Sequence, residues 1–358
     1  MLTKFKRILG VSAIGIAGMV NAHTALAAEY EMVISHPYPE DLMASEIQPS
    51  LKHFEALVES ATNGAIDVKI FAASQLGNEV ESGKALQSGR TMQGAVLSSG
   101  AMSSFFKEYQ IVTTPFLFPN YLTARAYFDG YWHANFMRGA INQSGMRYLG
   151  TFDDGGGFVA LTNNRHLVKR VEDLKGLKIR VEENPAHIAI MKALGASATP
   201  LPWGEVHTAL SSGLADGQFN APGISKAYKL YEVNDYTTLT GHVYNSTTFV
   251  ISDKWFKSLP EKYRAAIAQA ARESIKIGHG IAALQAIDGW VASCKLFKEC
   301  YILPQSEKER MASIARPAWK KWITEDFGVS GALVDEFWGE VARTSKEVAQ
   351  TSVDLYAK

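Results

Sequence analysis

The sequence predicts an α/β protein of two lobes, and three observations carry that expectation. Beyond a leader over residues 1–27, about 330 residues remain, more than one hydrophobic core usually serves. Two separate stretches, residues 31–98 and 177–220, each alternate strand-period and helix-period apolar patterns in the order strand–helix–strand–helix–strand, as in a small parallel sheet. Residues 261–303 contain no proline and are dominated by apolar residues at helical spacing. They allow one helix of up to roughly 38 residues and about 55 Å, long enough to bridge both lobes.

The leader comes first. Lys4, Lys6 and Arg7 form a basic start, Ile8 to Val20 is an apolar run too short for a comfortable membrane span, and Ala25-Leu26-Ala27 offers a small-residue cleavage site. This is the pattern of a secretory signal peptide, so a periplasmic destination is expected. No later apolar run reaches membrane length, and no direct membrane insertion of the mature chain is expected. The 36 basic and 36 acidic residues lose Lys4, Lys6 and Arg7 with the leader, leaving 33 against 36. Such a balance supplies no basic surface for nucleic acid.

In the first βαβαβ stretch, Glu31 to Ser35 and Ala65 to Phe71 read as strands. Between them Met43, Ile47, Leu51, Phe54 and Val58 mark one helix face. Asn78 suits the cap of a helix over residues 78–88, and Thr91 to Ser98 is the next strand. Ligands in open α/β sheets bind outside the carboxyl ends of strands, which nominates His36, Gln75, Glu79, Ser98 and Ser99. A proline-bounded apolar connection, residues 109–119, leads to helices near 121–129 and 132–143. Met146 to Phe152 and Phe158 to Thr162 are strands around Asp153-Asp154-Gly155-Gly156-Gly157. That glycine run can be forced onto a dinucleotide fingerprint, but the residues after it read as strand and loop, not helix. A crossover between lobes, where positive φ is tolerated, explains the glycines instead. No cofactor is expected.

The second stretch starts with Leu177, Ile179 and Val181 alternating with Lys178, Arg180 and Glu182. Pro185 opens a helix, and Ser197 to Leu201 is extended. Gly204 to Ser212 is again helical, and Ala215 to Asn220 closes the unit. Arg180 and Asn220 fall at strand ends and Trp203 in a turn. An arginine fork binds a carboxylate through two parallel hydrogen bonds, so Arg180 is the candidate anion ligand. Residues 236–240 and 244–252 are strands crossing back, with His242, Tyr244 and Asn245 at the crossing. Cys294 at a helix end and Cys300 at a strand start are expected to form a structural disulfide, which an oxidising compartment allows. The chain closes with helices near 307–325 and 330–354.

Several of these segments resemble one known family. KGLKIRV (175–181), NPAHIAIMKALGASATPLPWGEVHTAL (184–210) and DGQFNAP (216–222), with SQLG (74–77), PFLF (115–118) and TNNR (162–165), look like solute-binding proteins of TRAP (tripartite ATP-independent periplasmic) transporters. The resemblance implies a two-lobed periplasmic binding protein fold, type II-like, with a long hinge-spanning helix. The lobes are expected over residues 28–157 with 246–286, and over 158–245 with 287–358. It also implies that Arg180 ligates a substrate carboxylate, Asn220 is a second ligand and Trp203 packs on the solute. Glu79, His36, Ser99, Phe219 and Asn245 complete the candidate set, and no residue is assigned to a metal. Two departures stand out. Val159 occupies a position where many members carry a second arginine, and Phe219 one where many carry glutamate. Both suggest a less polar pocket and a monocarboxylate with an apolar or ring-bearing body.

The implied function is capture of a small organic acid and its delivery to TRAP membrane permease subunits. A sensor module presenting its ligand to a receptor kinase would use the same pocket. The binding protein of an ATP-driven importer fits the motifs less well. An enzyme has no support from G-x-S-x-G, H-E-x-x-H or P-loop motifs, which the sequence lacks.

Overall fold

The computed structural model describes residues 28–356, so the leader expected over residues 1–27 lies outside them. The first part of the chain forms β1 (Tyr30–Ser35), α1 (Ile47–Ala61), β2 (Ile66–Phe71), α2 (Glu79–Ser88), β3 (Gly94–Ser98) and the short α3 (Ser99–Ser103). Helices α4 (Tyr121–Phe128), α5 (Tyr131–Phe136) and α6 (Arg138–Ser144) follow, then β4 (Met146–Phe152). Asn78 caps α2 through a reciprocal pair: its side chain accepts from Glu81 N while the Glu81 carboxylate accepts from Asn78 N. Two helices were expected over 121–143; three form, because the chain turns at Gly130 and again at Met137.

The second part forms β5 (Phe158–Asn163), β6 (Lys178–Val181), α7 (Pro185–Ala193), β7 (Ser197–Pro200), α8 (Val206–Ser211), β8 (Gly217–Asn220), α9 (Pro222–Ala227) and β9 (Tyr236–Tyr244). The chain then returns through β10 (Thr247–Ser252) and α10 (Asp253–Ser258) to α11 (Glu261–Leu296), β11 (Glu299–Ile302), α12 (Gln305–Lys321) and α13 (Gly331–Tyr356).

Two sheets result, in the orders β2–β1–β3–β10–β4 and β11–β9–β5–β8–β6–β7. β1, β2 and β3 are parallel, as are β8, β6 and β7. The central strands of the first sheet, β1, β3 and β10, are buried on both faces. Ala95 and Leu97 of β3 face one apolar cluster and Val96 the other, so these strands read as nearly continuous apolar runs. The chain passes between sheets at residues 153–157, at residues 245–246 and through α11, giving two lobes joined by three crossings.

Helix α11 is unbroken through Gly278 and Gly280. It packs on α1 at its start and on α9 further along. Its first half buries Ile267, Ala271 and Ile275. In the second half the expected apolar positions Leu284, Ile287 and Val291 are exposed. The buried face there is made of Ala282, Gly289 and Ser293, because α9 approaches too closely for anything larger. A Cβ on Gly289 would stand 2.5 Å from the backbone N of Gly223. Cys294 and Cys300 are joined by a disulfide with Cα atoms 5.1 Å apart, tying the end of α11 to β11. The crossover glycines 155, 156 and 157 have φ of 64°, 107° and 76°, the left-handed half of the map where a side chain is strained.

Candidate functional site

A cavity of about 310 Å³ lies between the carboxyl ends of the strands of the two sheets. Tyr38 reaches it from the loop after β1, Glu79 from the start of α2, Ser98 from the end of β3 and Asp154 from the first crossover. From the other lobe come Arg180 and Glu182 at the end of β6, Trp203 before α8 and Asn220 at the end of β8. This is the ligand position expected for open α/β sheets. The lobes touch around it. Ser99 Oγ lies 3.1 Å from Glu182 Oε1, and the Tyr228 hydroxyl donates to the carbonyl of Pro37 at 3.3 Å. The arrangement is a closed cleft.

Arg180 is only 4 % exposed. Its Nε and Nη2 donate to the Leu201 carbonyl at 3.0 and 2.6 Å, which locks the plane of the guanidinium. The group also lies 5.5 Å from the centre of the Trp203 ring, and that ring stands edge-on to Tyr228. Among the described residues nothing accepts from Nη1. Burial lowers the Arg180 pKa to about 10, with Glu182, Glu79 and Glu183 opposing, so it stays cationic at neutral pH.

The carboxyl groups around it fall into two kinds. Burial pushes Glu79 up to about 7, against the Ser98 backbone N–H that donates to it, with the charge of Glu182 adding to the rise. Burial likewise raises Asp154 to about 7, although the Tyr38 hydroxyl donates to its Oδ1 at 2.7 Å. Glu182 behaves oppositely. Burial works to raise it, but His187, Asn184, Arg180 and Ser99 together hold it below the usual carboxylate range. Behind the cavity, Glu46 accepts from the Gly155 N–H with both oxygens. Burial and the charge of Asp154 push its pKa up to about 8.

Of the candidates named from sequence, Arg180, Asn220, Trp203, Glu79 and Ser98 line this cavity, while Gln75 is exposed and off its lining. His36, Ser99, Phe219 and Asn245 are off its lining. His36 Nε2 is bonded to Gln48 Oε1 at 2.7 Å and its Nδ1 accepts from Tyr38 N, so its ring fixes the loop after β1. Ser99 acts through Glu182. Phe219 packs between the rings of His187 and His242, because alternate residues of β8 point to opposite faces. Asn245 donates to Asn220 Oδ1 at 3.3 Å and so supports a cavity residue from behind. Val159 is fully buried within the larger apolar cluster, off the cavity lining. Neither Val159 nor Phe219 therefore makes the cavity less polar; its lining carries Glu79, Asp154, Glu182, Glu183 and Glu205 against one arginine. Sequence reasoning missed Asp154, Glu182 and Tyr38 as lining residues. Their signal was position: each sits at or just past a strand end.

Two lobes closed over a charged cavity at strand ends, with a long helix bridging them, form the architecture of a two-lobed binding protein. The profile of the family described as bacterial extracellular solute-binding protein, family 7, matches residues 44–326, and the chain belongs to that family. A solute-binding protein of Verminephrobacter eiseniae is 37 % identical over 233 residues, a match spanning 63 % of this chain and 66 % of that relative, just under two thirds of its length. The crystal structure of the sugar acid binding protein of Advenella mimigardefordensis with galactonate is similar, with TM-score 0.82 and 25 % identity, covering 89 % of this chain and 99 % of that one. A TRAP periplasmic solute-binding protein from Desulfovibrio salexigens with orotic acid gives TM-score 0.82 and 26 % identity over 88 % and 99 % of the two chains. The family and its structural neighbours are solute-binding proteins of transport, not enzymes. No helix among the described residues is long and apolar enough to cross a membrane.

Proposed function

We propose that this chain is the periplasmic solute-binding component of a TRAP transporter, capturing a small monocarboxylate and delivering it to the membrane permease subunits. The observation that carries the reading is Arg180, cationic, almost wholly buried, and aligned by Leu201 at the wall of an interlobe cavity. Glu182, Glu79 and Glu183 act on Arg180 through space, but among the described residues none makes a direct ion pair with it, and a solute carboxylate supplies that hydrogen-bonded partner. Asn220 adds a donor: one N–H of Nδ2 is taken by Gln218 Oε1, and an amide nitrogen has two. Trp203 and Ile224 offer an apolar flank, which suits an apolar or ring-bearing face of the solute. The galactonate and orotic acid of the two structural neighbours are both organic acids, in keeping with this reading.

The lobes of this reading are residues 28–157 with 246–286, and 158–245 with 287–358. Solute enters the open cleft, the carboxylate docks on Arg180, and hinge closure at the crossings excludes water. Exclusion strengthens the ion pair by lowering the local dielectric. A thermal-shift screen of the mature chain against organic acids tests the proposal. A ligand at 100 times its dissociation constant stabilises by about 2.7 kcal/mol. Stabilisation by carboxylates that vanishes in Arg180→Ala is the expected result; stabilisation by none of them sinks it.

A further inference from the structure

The lining of the cavity is unbalanced in a way that the Arg180–carboxylate pair does not use. Of the five carboxyl groups lining the same space as the single arginine, Glu183 and Glu205 are exposed, which leaves Glu79, Asp154 and Glu182 as the buried or half-buried ones. Each is held by a hydrogen bond from its own lobe or across the cleft. Asp154 Oδ1 takes the Tyr38 hydroxyl, Glu182 Oε1 takes Ser99 and Asn184, and Glu79 Oε1 takes Ser98 N. In Asp154 and Glu182 all of those bonds go to one oxygen. Asp154 Oδ2 and Glu182 Oε2 accept from no described residue, although Asp154 is only 7 % exposed. The acidic groups do not stand alone, since the nearly buried Arg180, with Nη1 unused, lines the same cavity.

A solute filling the cavity displaces water from these oxygens. An acceptor left dry without a donor costs its full desolvation free energy, and a charged one costs more. Arg180 cannot supply the donors, because its fork is taken by Leu201 on one side and by the solute's carboxylate on the other. The donors must arrive with the solute. We propose that the cavity selects a carboxylic acid whose body presents two or more hydrogen-bond donors, hydroxyl or ammonium, to Asp154, Glu182 and Glu79. The inference rests on the capture reading above and sharpens it from monocarboxylates in general to donor-bearing ones. The solute has one apolar edge against Trp203 and Ile224 and a donor-rich edge opposite. A hydroxyl satisfies a facing carboxyl in either protonation state, since it both donates and accepts. An ammonium satisfies only the ionised form. A site built to hydrogen-bond a group rejects the analogue that lacks it far more strongly than an apolar slot rejects an extra group.

The test is titration calorimetry of the mature chain with matched acids: gluconate, 6-aminohexanoate and hexanoate, and glucuronate with cyclohexanecarboxylate. The expected result is that a donor-bearing acid binds at least about 30-fold tighter than its bare counterpart, using the tenfold-per-1.4 kcal/mol scale for a group left unpaired. Whether the hydroxylated or the aminated member wins identifies the donor. In Glu182→Gln and in Asp154→Asn the preference should fall to about fivefold or less; circular dichroism of each variant checks that it is folded, and either folded variant suffices. Equal binding of bare and donor-bearing acids, with Arg180→Ala abolishing both, overturns this inference and leaves the capture reading standing. Binding of none of them overturns both. A preference that survives unchanged in both folded variants also overturns the inference, because the donors would then meet other groups.

Discussion

Asp153, the first residue of the crossover after β4, lies 2.9 Å through Oδ2 from Nδ1 of His279 in the middle of α11. The same carboxylate accepts from Arg125 Nε at 2.7 Å and from the Tyr244 hydroxyl. One buried anion thus ties α4, the end of β9 and the long helix to the first crossing. Burial alone lowers the His279 pKa, but Asp129 and Asp153 override it and raise the value to about 9. A raised folded pKa means the contribution is complete below the unfolded value of about 6.5 and is lost as pH rises through 9. The gap of roughly 2.5 units corresponds to at most about 3 kcal/mol. His279→Gln should therefore lower thermal stability at pH 6 by more than at pH 9.5. Equal losses at both pH values would contradict the linkage.

Arg180→Ala should weaken carboxylate binding by at least about 30-fold. Truncating one partner of a desolvated, hydrogen-bonded charge pair typically costs about 2–5 kcal/mol. Arg180→Lys should also weaken it, because a point charge cannot make the Leu201 contact and a two-point clamp together. Calorimetry on a ligand found by screening decides this; an Arg180→Lys protein that binds like the parent would argue against fork recognition.

Much of this architecture was legible because local chemistry and tertiary demand agree. The period-2 run around Ile179, the helix start at Pro185 and the strand-end position of Arg180 each survive folding unchanged. What was not legible depends on which face a residue takes. Phe219 differs from its neighbours Gln218 and Asn220 only by the alternation of one strand, and nothing in the sequence says which face meets the cleft. The exposed Leu284, Ile287 and Val291 mislead for a related reason. The helix is anchored there by small residues, and hydrophobic periodicity weighs size rather than closeness of approach. Glu46 was invisible because its partner, the Gly155 N–H, is 109 positions away in sequence.

Glu46 gives a prediction of its own. Burial first, then the charge of Asp154, pushes its pKa from 4.5 to about 8. Because the folded value is raised, full stability exists below about pH 4.5 and is lost as pH rises through 8. Glu46→Gln removes the ionisable proton while keeping an oxygen to accept from Gly155. The variant should match the parent near pH 5 and exceed it by about 2–4 kcal/mol at pH 8.5, an estimate from 1.36 kcal/mol per unit. Denaturant melts at the two pH values provide the comparison, and a variant less stable at pH 8.5 would refute the assignment.

The Cys294–Cys300 bridge closes a short loop, with a sequence separation of six, away from the cavity lining. Chain-entropy reasoning for so small a loop gives about 2 kcal/mol. Cys294→Ser with Cys300→Ser should lower stability by roughly that amount and leave ligand affinity within about twofold, well under the tenfold that 1.4 kcal/mol represents. Titration of the denatured, unreduced parent should find no free thiol; finding two would remove the bridge from the account.

The contact between Gly289 of α11 and Gly223 at the start of α9 joins the bridging helix to the element that follows Asn220. A methyl group on Gly289 would lie 2.5 Å from Gly223 N and 2.7 Å from its Cα, backbone atoms that cannot rotate away. Either α11 or α9 must move, and overpacking of this kind typically costs about 1–3 kcal/mol. The intrinsic helix preference of alanine works in the opposite direction by about 1 kcal/mol. Steric overlap with fixed backbone outweighs it, so Gly289→Ala should destabilise the protein. Because α9 begins two residues after Asn220, the displacement should also weaken ligand binding, by severalfold. Gly280→Ala, on the same helix with open space around its Cβ, is the control and should be neutral or stabilising. If both alanine variants gain stability alike, close packing of α11 on α9 is not what holds that half of the helix in place.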